Sequence, residues 1–255
     1  MKEDQEYQAI GCWECTKGAG LGFDFSMAFQ PIVNTTTQEV FAQEALVRGI
    51  NEESAGEILG RINDDNRYRF DQACRVKAVQ LGAALNITSF ISINFLPNAV
   101  YRPELCIRTT IEAAATFGFP VERIIFEFTE VEKITDHAHL RKIVQYYRNT
   151  GFLTAIDDFG AGYSGLSLLA EFQTDLVKLD MGLIRDISHN KSRQAIVKGI
   201  VQVCNELSIK VIAEGVETYE ELAILQSFGI ELFQGYYFAK PKFQGLAFIN
   251  NLVMS

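Results

Sequence analysis

Short apolar runs alternate with longer amphipathic ones along almost the whole chain, and this alternation predicts a sheet built from strand–helix units. Residues 25–33, 40–48, 90–95, 124–130, 153–158, 175–180, 210–214 and 232–236 read as strands. They are brief and apolar on both faces, as strands are when protein covers either side. The polar, turn-prone stretch 34–39 joins the first two, which predicts a hairpin and one antiparallel strand near the N-terminus. Helical spacing of apolar residues fills 65–85, 104–118, 136–149 and 192–207. Another helix opens at the capping box Thr218-Tyr219-Glu220-Glu221 and stops at Gly229, and a last one is predicted over 243–252. The fold class expected is α/β, a TIM-like (β/α)8 barrel. Residues 1–22 read as an irregular N-terminal extension to a single domain over 23–255.

In such barrels the active site lies at the C-terminal ends of the strands. Glu44, Asn94, Glu127, Lys178, Glu214 and Gln234 all fall towards those ends, as does the pair Asp157-Asp158. Adjacent carboxylates repel, at a cost that bound cations remove. With a side-chain period of two, Glu127 and Thr129 share a face and Glu130 falls near the strand end. One buried glutamate usually means a structural ion pair; several acidic strands plus an Asp-Asp pair point to a metal site. Carboxylate and amide oxygens suit hard cations such as Mg2+ and Mn2+. His137, His139 and His189 lie away from every strand end and are expected to face solvent, so a histidine-rich zinc site is not.

Composition narrows the partners. The chain has 255 residues, 48% hydrophobic and 22% charged, which predicts a well-buried core. The net charge of −9, with no basic block, argues against duplex nucleic acid but permits a small anion held through cations. No apolar run approaches the ~20 residues that cross a bilayer, and the polar start is no signal peptide, so a cytoplasmic location is expected. Cys12 and Cys15 form a lone CxxC among five cysteines, which reads as reduced thiols rather than a disulfide framework. Gly160-Ala161-Gly162-Tyr163-Ser164-Gly165 matches GxGxxG after a strand. Carboxylates directly before its first glycine would oppose a pyrophosphate, so it reads as a mobile loop over the metal site.

In order, these pieces resemble the EAL-domain phosphodiesterases of bacterial cyclic di-GMP signalling. The matching segments are Phe29-Gln30-Pro31-Ile32, Glu44-Ala45-Leu46-Val47-Arg48, Ser92-Ile93-Asn94, Glu127-Phe128-Thr129-Glu130, Asp157-Asp158-Phe159-Gly160, Lys178-Leu179-Asp180, Glu214-Gly215-Val216-Glu217 and Gln234-Gly235. The resemblance implies metal-dependent hydrolysis of cyclic di-GMP to linear pGpG. Glu44, Asn94, Glu127 and Asp157 would hold one divalent cation, Mg2+ or Mn2+. Asp157, Asp158 and Glu214 would hold a second. Lys178 would contact and orient the attacking water, as a base if neighbouring cations lower its pKa, and Gln234 would bond in the same water and metal shell. Glu130 would anchor the glycine-rich loop, Arg48 would pair with a substrate phosphate, and Gln30 would contact substrate. A homodimer is implied as well. The competing expectation is a cyclic di-GMP receptor or regulatory module without turnover.

Overall fold

The computed structural model describes residues 20–100, 102–129, 137–162 and 165–250. Its strands are β1 (Phe25–Asn34), β2 (Glu39–Gly49), β3 (Phe90–Asn94), β4 (Ile124–Thr129), β5 (Leu153–Phe159), β6 (Leu176–Leu179), β7 (Lys210–Ala213) and β8 (Leu232–Phe233). Strands β2 to β8 pair in parallel, each with the next in sequence. Strand β1 closes the barrel by pairing antiparallel with both β2 and β8. The expected hairpin is present: Asn34 Oδ1 accepts the N–H groups of Thr36 and Thr37 and so shapes its turn.

Helices follow the strands much as the spacing predicts, at Arg67–Ala84, Arg108–Phe117, His137–Asn149, Lys191–Glu206 and Tyr219–Gln226. The capping box closes as expected: Thr218 accepts the N–H of Glu221, and Glu221 accepts that of Thr218. The segment expected as one helix over 104–118 is two abutting ones, Pro103–Cys106 and Arg108–Phe117. The helix expected over 243–252 is not found among the described residues. Lys242–Phe243 instead form β9, an edge pairing with Phe29 and Ala28 of β1. Gln244 then adopts φ 46°, a left-handed turn, and donates its backbone N–H to Met27 O, which stops a helix from starting there. Most of the 1–22 extension, with Cys12 and Cys15, lies outside the described residues, as do Glu130, Tyr163 and Ser164.

The barrel interior is layered. Ile32, Ala42, Ile125, Ala155, Leu176, Ile212 and Leu232 form a buried apolar plug, with Phe90 packed against it. Every strand of the barrel contributes one of these residues. Side chains two positions apart share a face. Two residues towards the mouth from each plug residue therefore come Glu44, Ser92, Glu127, Asp157, Lys178, Glu214 and Gln234, and on the antiparallel β1, Gln30. A polar layer thus rests directly on an apolar one.

Gly235 joins two of these positions. Val216 N donates to Gln234 O and Tyr237 N to Val216 O, stitching the loops after β7 and β8 together. A Cβ on Gly235 would stand 2.0 Å from Val216 O and 2.4 Å from Val216 N. Backbone cannot yield as a side-chain tip can. Gly235→Ala is expected to destabilise the protein by about 3 kcal/mol, a fall of roughly 6–12 °C in Tm. An unchanged melting curve would show that the two loops slide apart freely.

Candidate active site

Lys178 stands at the centre of the polar layer. Its ammonium lies 2.6 Å from Glu214 Oε1, 2.9 Å from Glu127 Oε2, 3.1 Å from Asp157 Oδ1 and 3.4 Å from Glu44 Oε2. Lys178 and Glu127 are both 0% exposed, so these charges meet with little water to screen them. Burial opposes the lysine's charge, but Asp157, then Glu127, Glu214 and Glu44 outweigh it and hold the amine protonated well above its usual range. Without cations Lys178 is therefore a hydrogen-bond donor to the carboxylates around it.

The carboxylates feel the same burial. Glu127 is pushed up to about 8 by burial, against the pull of Lys178, and Glu44 and Asp157 add to the rise. Glu214 rises well above the usual carboxylate range, first through burial and then through Asp157. Asp158 reaches about 6 through burial and its neighbours Asp157 and Asp180. One ammonium faces Glu44, Glu127, Asp157 and Glu214, with Asp158 beside them, so the site holds more carboxyl groups than this one cationic side chain can pair.

Amides tie the layer together. Asn94 Nδ2 donates to Glu44 Oε1 at 3.0 Å, leaving its carbonyl oxygen as the remaining ligand atom. Gln234 Nε2 donates to Glu44 Oε2 at 2.7 Å and to Gln30 Oε1 at 3.2 Å, and Gln30 Nε2 donates to Ala239 O. Gln234 Oε1 is buried and finds no donor among the described residues. Ser92 Oγ donates to Glu127 Oε1, a contact that sequence reasoning missed. The signal was available: Ser92 is two residues before Asn94, on the same face of β3.

Asp158 shows how adjacent carboxylates reach one site. A regular strand would send it to the opposite face from Asp157. The β5–β6 register shifts between Ile156 and Phe159, and Asp158 takes φ 53°. This irregularity re-aims the side chain, as bulges next to active sites do. Left-handed backbone costs about 1 kcal/mol, and aspartate tolerates it better than most residues. The N–H of Asp158 donates to Asp157 Oδ1 at 2.9 Å, which fixes the first carboxylate as it frees the second.

Two groups of oxygen donors result. Glu44, Glu127 and Asp157 form one, and Asp157, Asp158 and Glu214 the other, each with ligand atoms within 4.8 Å of one another. Asp157 belongs to both. The surplus of carboxyl groups over cationic side chains, the all-oxygen donor set and the unpaired acceptor on Gln234 fit hydrated hard cations. Arg48 is not drawn into the cluster. It lies four residues beyond Glu44 on the same face of β2 and donates to its neighbour's carbonyl, Val47 O, at 2.7 Å. His137 and His139 are half-buried rather than exposed, with His137 3.0 Å from Glu171.

An α/β barrel whose mouth carries two carboxylate triads sharing one aspartate defines a class of cation-assisted barrel sites. The chain belongs to the EAL domain family, whose model matches residues 21–241. It is 37% identical over 221 residues to the blue light- and temperature-regulated antirepressor BluF of Escherichia coli, covering 86% of this chain and 55% of BluF. Over 115 residues it is 43% identical to the cyclic di-GMP phosphodiesterase PdeR of Escherichia coli, covering 45% of this chain and 17% of PdeR. The chain thus spans about half the length, or less, of these curated relatives. Among solved structures, a standalone versatile EAL protein from Vibrio cholerae O395 with c-di-GMP bound is 57% identical, with a TM-score of 0.89 over 92% of this chain and 99% of that one. A manganese/cy-diGMP complex of Klebsiella pneumoniae BlrP1 is 39% identical, with a TM-score of 0.83 over 89% of this chain and 59% of that one.

Proposed function

We propose that this protein hydrolyses one phosphodiester of cyclic di-GMP to give linear pGpG, using two divalent cations, Mg2+ or Mn2+. The observation that carries the reading is the pair of triads sharing Asp157. Glu44, Asn94, Glu127 and Asp157 would hold one cation, and Asp157, Asp158 and Glu214 the other. When bound, such a pair activates water and neutralises both the attacked phosphate and the leaving oxygen. Water oxygen adds to phosphorus, the bond from phosphorus to one ribose 3′-oxygen breaks, and that oxygen takes up a proton.

The chain's own residues prepare this step. Lys178, fixed among the carboxylates, would turn one N–H of its ammonium from them to the attacking water and so orient it. Gln234 Nε2 is spent on Glu44 and Gln30, so its Oε1 is left to accept a hydrogen bond from a water in the same shell. Gln30 holds Gln234 in place and meets the nucleotide from β1. Arg48, about 13 Å along β2 from Glu44 by strand rise, reaches a phosphate beyond the reacting one. Glu130 would anchor the loop that follows Asp158.

The test is incubation with cyclic di-GMP and chromatography of the nucleotides after exhaustive chelation. No product is expected without cations, and linear pGpG on adding Mg2+ or Mn2+. Turnover that survives chelation would overturn the reading. A receptor without turnover is the second reading, favoured by the similarity to an antirepressor; tight nucleotide binding with no product under either cation would support it. No described helix is long and apolar enough to cross a membrane, and we place the activity in the cytoplasm. Exposed Leu166 and Met181, on elements next to the glycine-rich loop, support a homodimer contact, which sedimentation would test.

A further inference from the structure

Behind β3 and β4 lies a charged pair that the proposed reaction does not use. Asp71 and Arg75, one turn apart on the helix Arg67–Ala84, are 2% and 0% exposed and meet at 2.6 Å. Desolvation of a buried pair roughly offsets its attraction, so stability alone is a weak reason for one. Its contacts run towards the site. Asp71 Oδ1 accepts the N–H of Leu96 at 2.9 Å, two residues after Asn94. The Arg75 guanidinium lies 5.4 Å from the ring centre of Phe95 and 5.1 Å from that of Phe126, and donates to the Tyr147 hydroxyl at 2.9 Å.

Phe95 directly follows Asn94, and Phe126 directly precedes Glu127. Strand alternation sends the two rings outwards and their neighbours into the barrel. Phe95 N–H still donates across the ladder to Glu127 O, at 2.8 Å. Asp71 takes the N–H of Leu96, and the chain turns into the short helix Pro97–Ala99. The pair thus ends β3 just past Asn94 and braces the outer faces of the residues beside both candidate ligands.

We infer that Asp71 and Arg75 are positioning residues, which hold Asn94 and Glu127 at the separation one cation requires. The inference rests on the proposed reading of Asn94 and Glu127 as ligands. Outer-shell partners of ligands typically change metal affinity by ten- to a hundredfold when removed.

The experiment uses Asp71→Leu/Arg75→Met, which swaps the pair for apolar groups of similar volume, a change that buried pairs often tolerate. Mn2+ binding is titrated calorimetrically without nucleotide, beside the melting temperature. A fold melting near the parent's with Mn2+ affinity lowered at least about tenfold is expected. A folded variant that binds Mn2+ as the parent does would overturn the inference. Should that variant not fold, Leu96→Pro removes the N–H that Asp71 accepts, together with the leucine side chain, and moves φ there from −101° towards about −65°. The same loss of affinity is then expected, and parental affinity would overturn the inference. A parent that binds no Mn2+ would instead overturn the reading of the site itself.

Discussion

Asp157→Asn is expected to lower cyclic di-GMP turnover by about a thousandfold or more. Asp157 is the residue common to both donor groups, so the change removes charge from each at once. Charge stabilisation by bound cations supplies several kcal/mol at the transition state, and each ~1.4 kcal/mol is tenfold in rate. The fold should survive, because the amide fills the same volume and its oxygen can still accept the N–H of Asp158. Cation-free protein should even melt somewhat higher, since one of several crowded negative charges is gone. Glu44→Ala, which touches one donor group, is expected to follow in the same direction. Steady-state kinetics at saturating Mn2+ provide the check. A variant keeping a tenth of parental turnover would remove Asp157 from its assigned role.

Lys178→Met is the second large effect, and it separates stability from chemistry. The ammonium contacts Glu44, Glu127, Asp157 and Glu214 and is itself buried. Removing the cationic partner of a buried ion pair typically costs about 3–5 kcal/mol, because the remaining charges lose their counterion. Some of that cost is relieved as Glu127 and Glu214 take up protons, which their raised pKa values favour. The cation-free variant should therefore melt well below the parent. Added Mn2+ should raise its Tm by more than it raises the parent's, since divalent ions then supply the missing positive charge. Turnover should stay about a hundredfold or more below the parent even in Mn2+, for want of the donor that orients water. Full activity in the Mn2+-loaded variant would reduce Lys178 to a counterion.

Much of this was legible in the sequence, for reasons that differ from one residue to another. The strands could be read because both faces are covered, which leaves largely apolar runs in β3, β4 and β5. The acids stood out because each interrupts or ends such a run. The short helices Ala55–Leu59 and Met181–Ile184 are too brief to show a period. The helix expected over 243–252 fails at its first residue, because Phe243 pairs with Ala28 of β1 and tertiary pairing overrides local preference. Asp158's direction was hidden because a bulge breaks the alternation on which face assignments depend. Asp71 and Arg75 stand at i,i+4 spacing, which on its own does not tell a buried pair from a solvated one. Only the packing of Phe95, Phe126 and Tyr147 around the guanidinium reveals their placement.

The apolar plug beneath the site has a consequence for ion selectivity. Its side chains come from every strand of the closed sheet, so their combined bulk sets the girth of the barrel at that level. The carboxylates are mounted two residues higher on the same strands and inherit that girth. Mg2+ bonds oxygen at about 2.0–2.1 Å and Ca2+ at about 2.3–2.6 Å. A few added or deleted methyl groups at Ala42, Ala155 or Ile125, none of which touches an ion, would act as a calliper on the ring above and tune which radius it accepts.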